Sequence, residues 1–232
     1  MLLNTKDLYG HQLAAADGKI GHVKDFLFDD KTWVIRYVVA DTGDWLPGRL
    51  VLLSPHCFQR WDEKEKTLHV GLDRQQIESS PSIETHRTVS RQFEVEYYRH
   101  FGWPAYWTGG AIWGLGGFPM VQPPSPGEVV DRMHRHRDDK HLQSAQAIMG
   151  YHAHTPGGTI GDVKGFLVNS KSWAIRDLVV DTGHWYSGKT IHVSPSQVER
   201  ISYGESRVYM NLTNAEAAES HQTSGQLLKS TQ

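Results

Sequence analysis

Two tandem small antiparallel β-barrels in a mainly β chain are what this sequence predicts, and three observations predict them. A block occurs twice: Gly18 to Trp33 (GKIGHVKDFLFDDKTW) reappears as Gly158 to Trp173 (GTIGDVKGFLVNSKSW). At a fixed offset of 140 the match runs without a gap from Leu2/Leu142 to Leu72/Leu212, and 24 of those 71 pairs are identical, so one folding unit is present twice. Each copy also breaks into five or six short strand-like segments divided by turn residues, the pattern of a small barrel. Finally, helix-start signals flank both copies at the same places.

Within the first copy, Ile20 to Phe28 and Trp33 to Ala40 are rich in β-branched and aromatic residues, and Asp29-Asp30-Lys31-Thr32 between them is a polar turn. That is a hairpin signal. The second copy repeats it as Ile160 to Val168, the turn Asn169 to Ser172, and Trp173 to Val180. Arg49 to Leu53 and Lys189 to Val193 are further strands, each stopped by Ser-Pro because proline removes a ladder donor. A last hairpin runs from Phe58 to Val70 across Glu63 to Lys66, and its partner from Val198 to Asn211. Asp73-Arg-Gln-Gln76 and Thr213-Asn-Ala-Glu216 are capping boxes that start a helix after each barrel, and Asn4 and Ser144 are N-caps of a short helix before each.

Between the copies, Phe93, Tyr97, Tyr98 and Phe101 recur at helical spacing, so 90–101 reads as an amphipathic helix with its charges on the opposite face. Residues 102–124 are dense in Gly, Pro and aromatics and read as irregular. The expected organisation is a barrel over 1–80, a connector over 81–140, a second barrel over 141–220 and a flexible tail over 221–232.

Composition narrows the function classes. Twenty-four basic and 26 acidic residues give a formal charge of −2 without long runs of one sign, which argues against a nucleic-acid surface. Cys57 is the single cysteine, so no internal disulfide forms. The absence of an 18-residue apolar run argues against a membrane span, and Met1-Leu-Leu-Asn-Thr-Lys-Asp7 does not read as a signal peptide. A soluble cytoplasmic protein is the expectation.

At the Gly-x-Ile-Gly-x-Val-x-x-Phe-Leu strand (from Gly18 and from Gly158) and the Trp-x-Ile-Arg, Asp-Thr-Gly-x-Trp and Ser-Pro pattern, the chain resembles the PRC-barrel family. The family is named for the cytoplasmic domain of the photosynthetic reaction centre H subunit, and a related domain ends the ribosome-maturation factor. The connector pattern Ser90-Arg-Gln, Tyr98, Gly102-Trp103-Pro104 and Tyr106-Trp107 is similar to the segment after the first barrel of bacterial tandem PRC-barrel proteins, as is His141-Leu142-x-Ser144 before the second copy. The resemblance implies a small β-barrel used for protein–protein contact, with no family-wide catalytic residues. The H subunit's transmembrane helix has no counterpart here, which sets a reaction-centre role aside.

Four features could carry chemistry. Asp41-Thr42-Gly43 and Asp181-Thr182-Gly183 look like the paired loops of an aspartic hydrolase, which needs two carboxylates sharing a proton. Asp44 and His184 follow them where a small side chain is wanted, and the copies are short for catalytic lobes, so strand-ending turns are the preferred reading. His134, His136, His141, His152 and His154 are potential metal ligands, but the first three alternate with arginines or lie beside Lys140 in a charged linker, so no metal site is assigned. Gly18-x-x-Gly21 and Gly158-x-x-Gly161 precede strands rather than helices, which points to close strand packing and not to a phosphate cradle. Arg36/Arg176 and Lys24/Lys164 are shared and are expected on the outer face of the barrel, the arginine stems covering an indole.

Pairing at the offset thus assigns most motifs to the fold. The aromatics it leaves unpaired in the connector, Tyr97, Tyr98, Trp103, Tyr106, Trp107, Trp113 and Phe118, form the candidate interaction strip. The expected function is a non-catalytic protein–protein adaptor or scaffold that self-associates as a homodimer, with no cofactor. The alternative is an accessory protein binding a small ligand or metal and tuning an electron-transfer or reaction-centre-like complex. An aspartic-type hydrolase is a remote third.

Overall fold

The computed structural model describes residues 1–81, 89–108, 142–183 and 190–212. The chain forms β1 (Leu2–Asn4), α1 (Thr5–Leu8), β2 (Gln12–Ala15), β3 (Gly18–Asp29), β4 (Val34–Asp41), β5 (Leu50–Leu53), β6 (Phe58–Asp62), β7 (Thr67–Val70), α2 (Arg74–Glu78) and α3 (Arg91–Phe101). After the connector come β8 (Leu142–Ser144), α4 (Ala145–Ile148), β9 (His152–Thr155), β10 (Gly158–Asn169), β11 (Ile175–Asp181), β12 (Thr190–Val193), β13 (Val198–Ser202) and β14 (Arg207–Met210). Among the described residues, no helix is long and apolar enough to cross a membrane.

Each copy supplies six strands of a seven-stranded sheet. The first runs β5-β4-β3-β2-β7-β6 and the second β12-β11-β10-β9-β14-β13. All-antiparallel sheets were expected, yet each contains a parallel pair, β2 with β7 and β9 with β14. The cause is the crossover: the Ser-Pro stop and a short 3-10 turn carry the chain from β5 to the last hairpin, whose second strand adds to the free edge of the first strand. The repeat holds down to register. β3 shifts register against β4 between Val23 and Asp25 and between Leu27 and Phe28, and β10 shifts against β11 at the same positions plus 140.

Local chemistry fixes the corners as the sequence suggests. Asp29 Oδ1 accepts hydrogen bonds from the Lys31 and Thr32 amides, and Asn169 Oδ1 does the same for Lys171 and Ser172. Both turns end in a left-handed tryptophan, Trp33 at φ 54° and Trp173 at φ 57°, a conformation costing roughly 1–2 kcal/mol that packing must offset. Trp33 stacks on Phe28 with centroids 5.5 Å apart. Gly21 is required by close approach: a Cβ there would overlap the Asp41 carbonyl, and one on Gly161 would overlap that of Asp181.

The compact units do not follow the copies. One comprises Gly10–Gln143, the other Met1–Tyr9 with Ser144–Gln232. β1, which the barrel boundaries 1–80 assign to the first copy, is hydrogen-bonded to β10, with Leu2 opposite Asn169 and Asn4 opposite Leu167. Correspondingly β8, at the head of the second copy, pairs with β3. The six-stranded path of each unit therefore gains its seventh strand from the segment that precedes the other copy. N-caps start α1 and α4 as expected, with Asn4 Oδ1 accepting from the Lys6 amide and Ser144 Oγ from the Ala147 amide. The Asp73/Gln76 capping box is also present, whereas Thr213 to Glu216 lies outside the described residues.

Candidate interaction site

Helix α3 builds the site. Ser90 Oγ accepts from the Phe93 amide at its start, and Gly102 at φ 67° ends it, the Trp103 amide returning to the Tyr98 carbonyl at 2.9 Å. The i, i+3, i+4, i+7 spacing puts Glu94, Tyr97, Tyr98 and Phe101 on one face. That face covers the outer side of β4 and β5, where Tyr37, Val39 and Leu52 meet Tyr97, Tyr98 and Tyr106 in one buried cluster. As a result Val34 to Ala40 are buried throughout, on both faces of a strand that pleating alone would leave half-exposed.

The cluster is polar at its centre. Glu94, fully buried, accepts through Oε1 from the phenols of Tyr37 at 3.0 Å and Tyr106 at 2.8 Å. Tyr97 donates to the Leu52 carbonyl at 2.8 Å and accepts from the Ser54 amide at 3.2 Å, while the hydroxyls of Tyr98 and Ser54 lie 3.3 Å apart. Arg36, only 2% exposed, lays its guanidinium 3.8 Å from the Tyr106 ring centroid, donates to Thr32 Oγ1 at 3.0 Å and lies 3.8 Å from Asp29 Oδ2. Burial, with the Glu94 carboxylate adding, holds the Tyr37 phenol well above its ordinary value, and burial does the same for Tyr97 and Tyr98. Burial also lowers the Arg36 guanidinium, which Tyr106 and Asp29 partly counter, and keeps His56 below the usual imidazole value with Arg36 assisting.

Of the candidate strip, Tyr97, Tyr98 and Tyr106 are therefore interior and hold the connector helix to the first sheet. Trp103 and Trp107 are half-buried at the rim. Trp103 stacks on Phe101 with centroids 4.6 Å apart and on His56 at 5.6 Å, and Trp107 meets Tyr98 edge-on at 5.4 Å. Trp113 and Phe118 lie outside the described residues, as do His134, His136, His141 and Trp185. Arg36 departs from the expected exposed position: it is buried, with its guanidinium over the Tyr106 ring. Arg176, its counterpart, is exposed. Glu94 departs from the expected charged face, although its spacing to Tyr97 and Tyr98 was the available signal.

The other motifs occupy structural places. Asp41 Oδ1 accepts from the Gly43 amide at 3.1 Å and Asp181 Oδ1 from the Gly183 amide at 3.0 Å, so each Asp-Thr-Gly carboxylate caps its own turn. Lys24 lies 3.5 Å from Asp41 Oδ2, and Lys164 lies 3.8 Å from Asp162. Cys57 is buried and burial raises its thiol, so it is a protonated packing residue. His152, exposed on β9, lies 2.8 Å from half-buried Asp162 on β10. Asp62, Glu65 and His69 bring ligand atoms within 4.8 Å of one another. However, Arg60 occupies that cluster, 3.2 Å from Asp62 and 3.3 Å from His69 Nε2, and Asp62 Oδ1 already closes the Lys64–Glu65 turn.

A duplicated mixed-β unit with bulged long strands, a Ser-Pro corner and a helix lid defines a small β-domain protein. Residues 4–74 match the family model of the PRC-barrel domain, so the chain carries a PRC-barrel domain over the first copy, and the second copy follows it at the offset of 140 with the same register. No curated protein matches the chain.

Proposed function

We propose that this chain is a non-catalytic protein–protein interaction scaffold that associates with itself through the rim of its helix lid. The observation that carries the reading is the half-buried pair Trp103 and Trp107, set beside exposed Gly102 and Pro104 at the end of α3. Large aromatics held rigidly at a rim, with one flank packed, have the character of interface anchors. The Asp-Thr-Gly carboxylates, being committed to their own turns, support a non-catalytic role.

The test replaces Trp103 and Trp107 with Ala together, and Trp113 separately, in the full chain. Self-association measured by sedimentation velocity is expected to weaken about 30-fold, the loss of roughly 2 kcal/mol that a hot-spot aromatic carries. Near-UV circular dichroism of the buried tyrosines checks that the lid stays docked. Unchanged mass across all concentrations, with the tyrosine signal intact, would sink the reading.

A further inference from the structure

We propose that the segment Met1–Tyr9 is an exchangeable latch whose acceptor on β10 also takes it from a second copy of this chain, giving a strand-exchanged dimer. The inference deepens the self-association reading above and rests on it. β1 adds to the β10 edge by a three-residue antiparallel ladder, and Leu3, Thr5 and Leu8 of the same segment are buried. The contact is therefore a strand plus one helical turn, seated by side chains as well as by main-chain bonds.

The fit is specific to this pairing. Gly165 leaves room where a Cβ would stand 2.9 Å from Asn4 Oδ1 and 3.4 Å from Lys6 Cβ, and the Phe166 amide donates to Thr5 Oγ1 at 3.1 Å. At the offset of 140 the corresponding residues are Asp25 in place of Gly165 and Ala145 in place of Thr5. The Phe26 amide donates to the Asp25 carboxylate at 2.7 Å, so this acceptor satisfies internally the amide that the other offers to a hydroxyl. A Thr5-bearing segment thus suits the Gly165 acceptor and meets an acidic side chain on the Asp25 one. The lock selects first-copy segment onto second-copy acceptor, and its rule is the same whether the two belong to one chain or to two.

A second copy is the fitting occupant because exchange reproduces every bond of the single chain, so only chain connectivity and concentration set the balance. The latch continues directly into the Gly10–Gln143 unit, so the junction Tyr9–Gly10 is the hinge about which it would exchange.

The experiment uses full chains. The Ser170 amide bonds to the Met1 carbonyl at 3.1 Å, which makes Leu2 and Asn169 the adjacent non-hydrogen-bonded pair, the closer side-chain geometry in an antiparallel ladder. Chains carrying Leu2→Cys and chains carrying Asn169→Cys are mixed at high concentration, oxidised with copper phenanthroline and resolved on a non-reducing gel. Buried Cys57 stays out of the reaction, and Leu2→Cys mixed with Ser196→Cys measures random collision. A covalent heterodimer at least about tenfold above that control, and lost when the acceptor chain also carries Gly165→Asp, is the expected result. Leu2→Cys/Asn169→Cys in one chain verifies the geometry. If that chain links only within itself and the mixture stays at the control level, or if the double variant fails to link at all, the latch is overturned. A chain that fails here yet dissociates on Trp103/Trp107 replacement keeps the scaffold reading without exchange.

Discussion

The two copies share a strand framework and differ in what lies over β4 and its counterpart β11. Over β4, Arg36, Tyr37 and Val39 are all buried beneath α3. Over β11, Arg176 is exposed and Asp177, standing where Tyr37 does, is half-buried. His192 replaces Leu52 and Thr190 replaces Leu50 on the neighbouring strand. One face has thus been made apolar and aromatic to receive a helix and the other kept polar. The lesson is that positions identical at the offset do not have identical environments, because among the described residues α3 covers β4 and no counterpart covers β11.

The largest expected effect on the shared framework falls on a position where the copies agree. Gly21→Ala and Gly161→Ala each drive a Cβ into the backbone of the neighbouring strand end, at φ 127° and φ 156°, and each should destabilise its own unit by about 3 kcal/mol in urea unfolding. Unequal losses would break the claim that the frameworks are equivalent. Next comes a position where they disagree. Arg36→Ala removes a buried cation stacked on Tyr106 and should cost about 2–3 kcal/mol, whereas Arg176→Ala should stay within about 0.5 kcal/mol.

A smaller effect appears with alkali. Tyr37, Tyr97 and Tyr98 ionise above their ordinary value of 10.0 when folded, so their contribution is whole below pH 10 and is lost as pH rises past it, where the unfolded chain releases protons that the folded one keeps. Absorbance at 295 nm should show three late-ionising phenols whose titration coincides with loss of the Gly10–Gln143 unit. Tyr37→Phe should remove one of them at a cost of about 1–2 kcal/mol, the Glu94 hydrogen bond being gone.

Much of the framework was legible because it rests on local rules. The Asp29 and Asn169 turns, the Ser-Pro corners, the Asp73 capping box and the Gly21 and Gly161 contacts each follow from residues within one copy or its mirror at the offset. The parallel pairs were not legible, since strand direction depends on the crossover and not on any periodicity. Nor was the placement of β1 on β10: Leu2 to Leu8 satisfy the same pattern in either unit, and the choice turns on Thr5 and Gly165, far apart in sequence. At the candidate site, the aromatic spacing of α3 announced a docking face, but an amphipathic pattern does not say whether its partner is the same chain. Tyr97, Tyr98 and Tyr106 proved to be that internal contact, and buried Glu94 was hidden by the habit of placing carboxylates outside.

Amide hydrogen exchange on the parent and on Tyr97→Ala tests most directly whether the lid is what separates the two copies. Truncating this buried ring should cost about 3–5 kcal/mol, so the amides of Leu50–Leu53 and Val34–Asp41 should exchange roughly a hundredfold to several-thousandfold faster. Those of Thr190–Val193 and Ile175–Asp181 should keep their parent rates. Equal acceleration in both sets, or none in the first, would contradict the account.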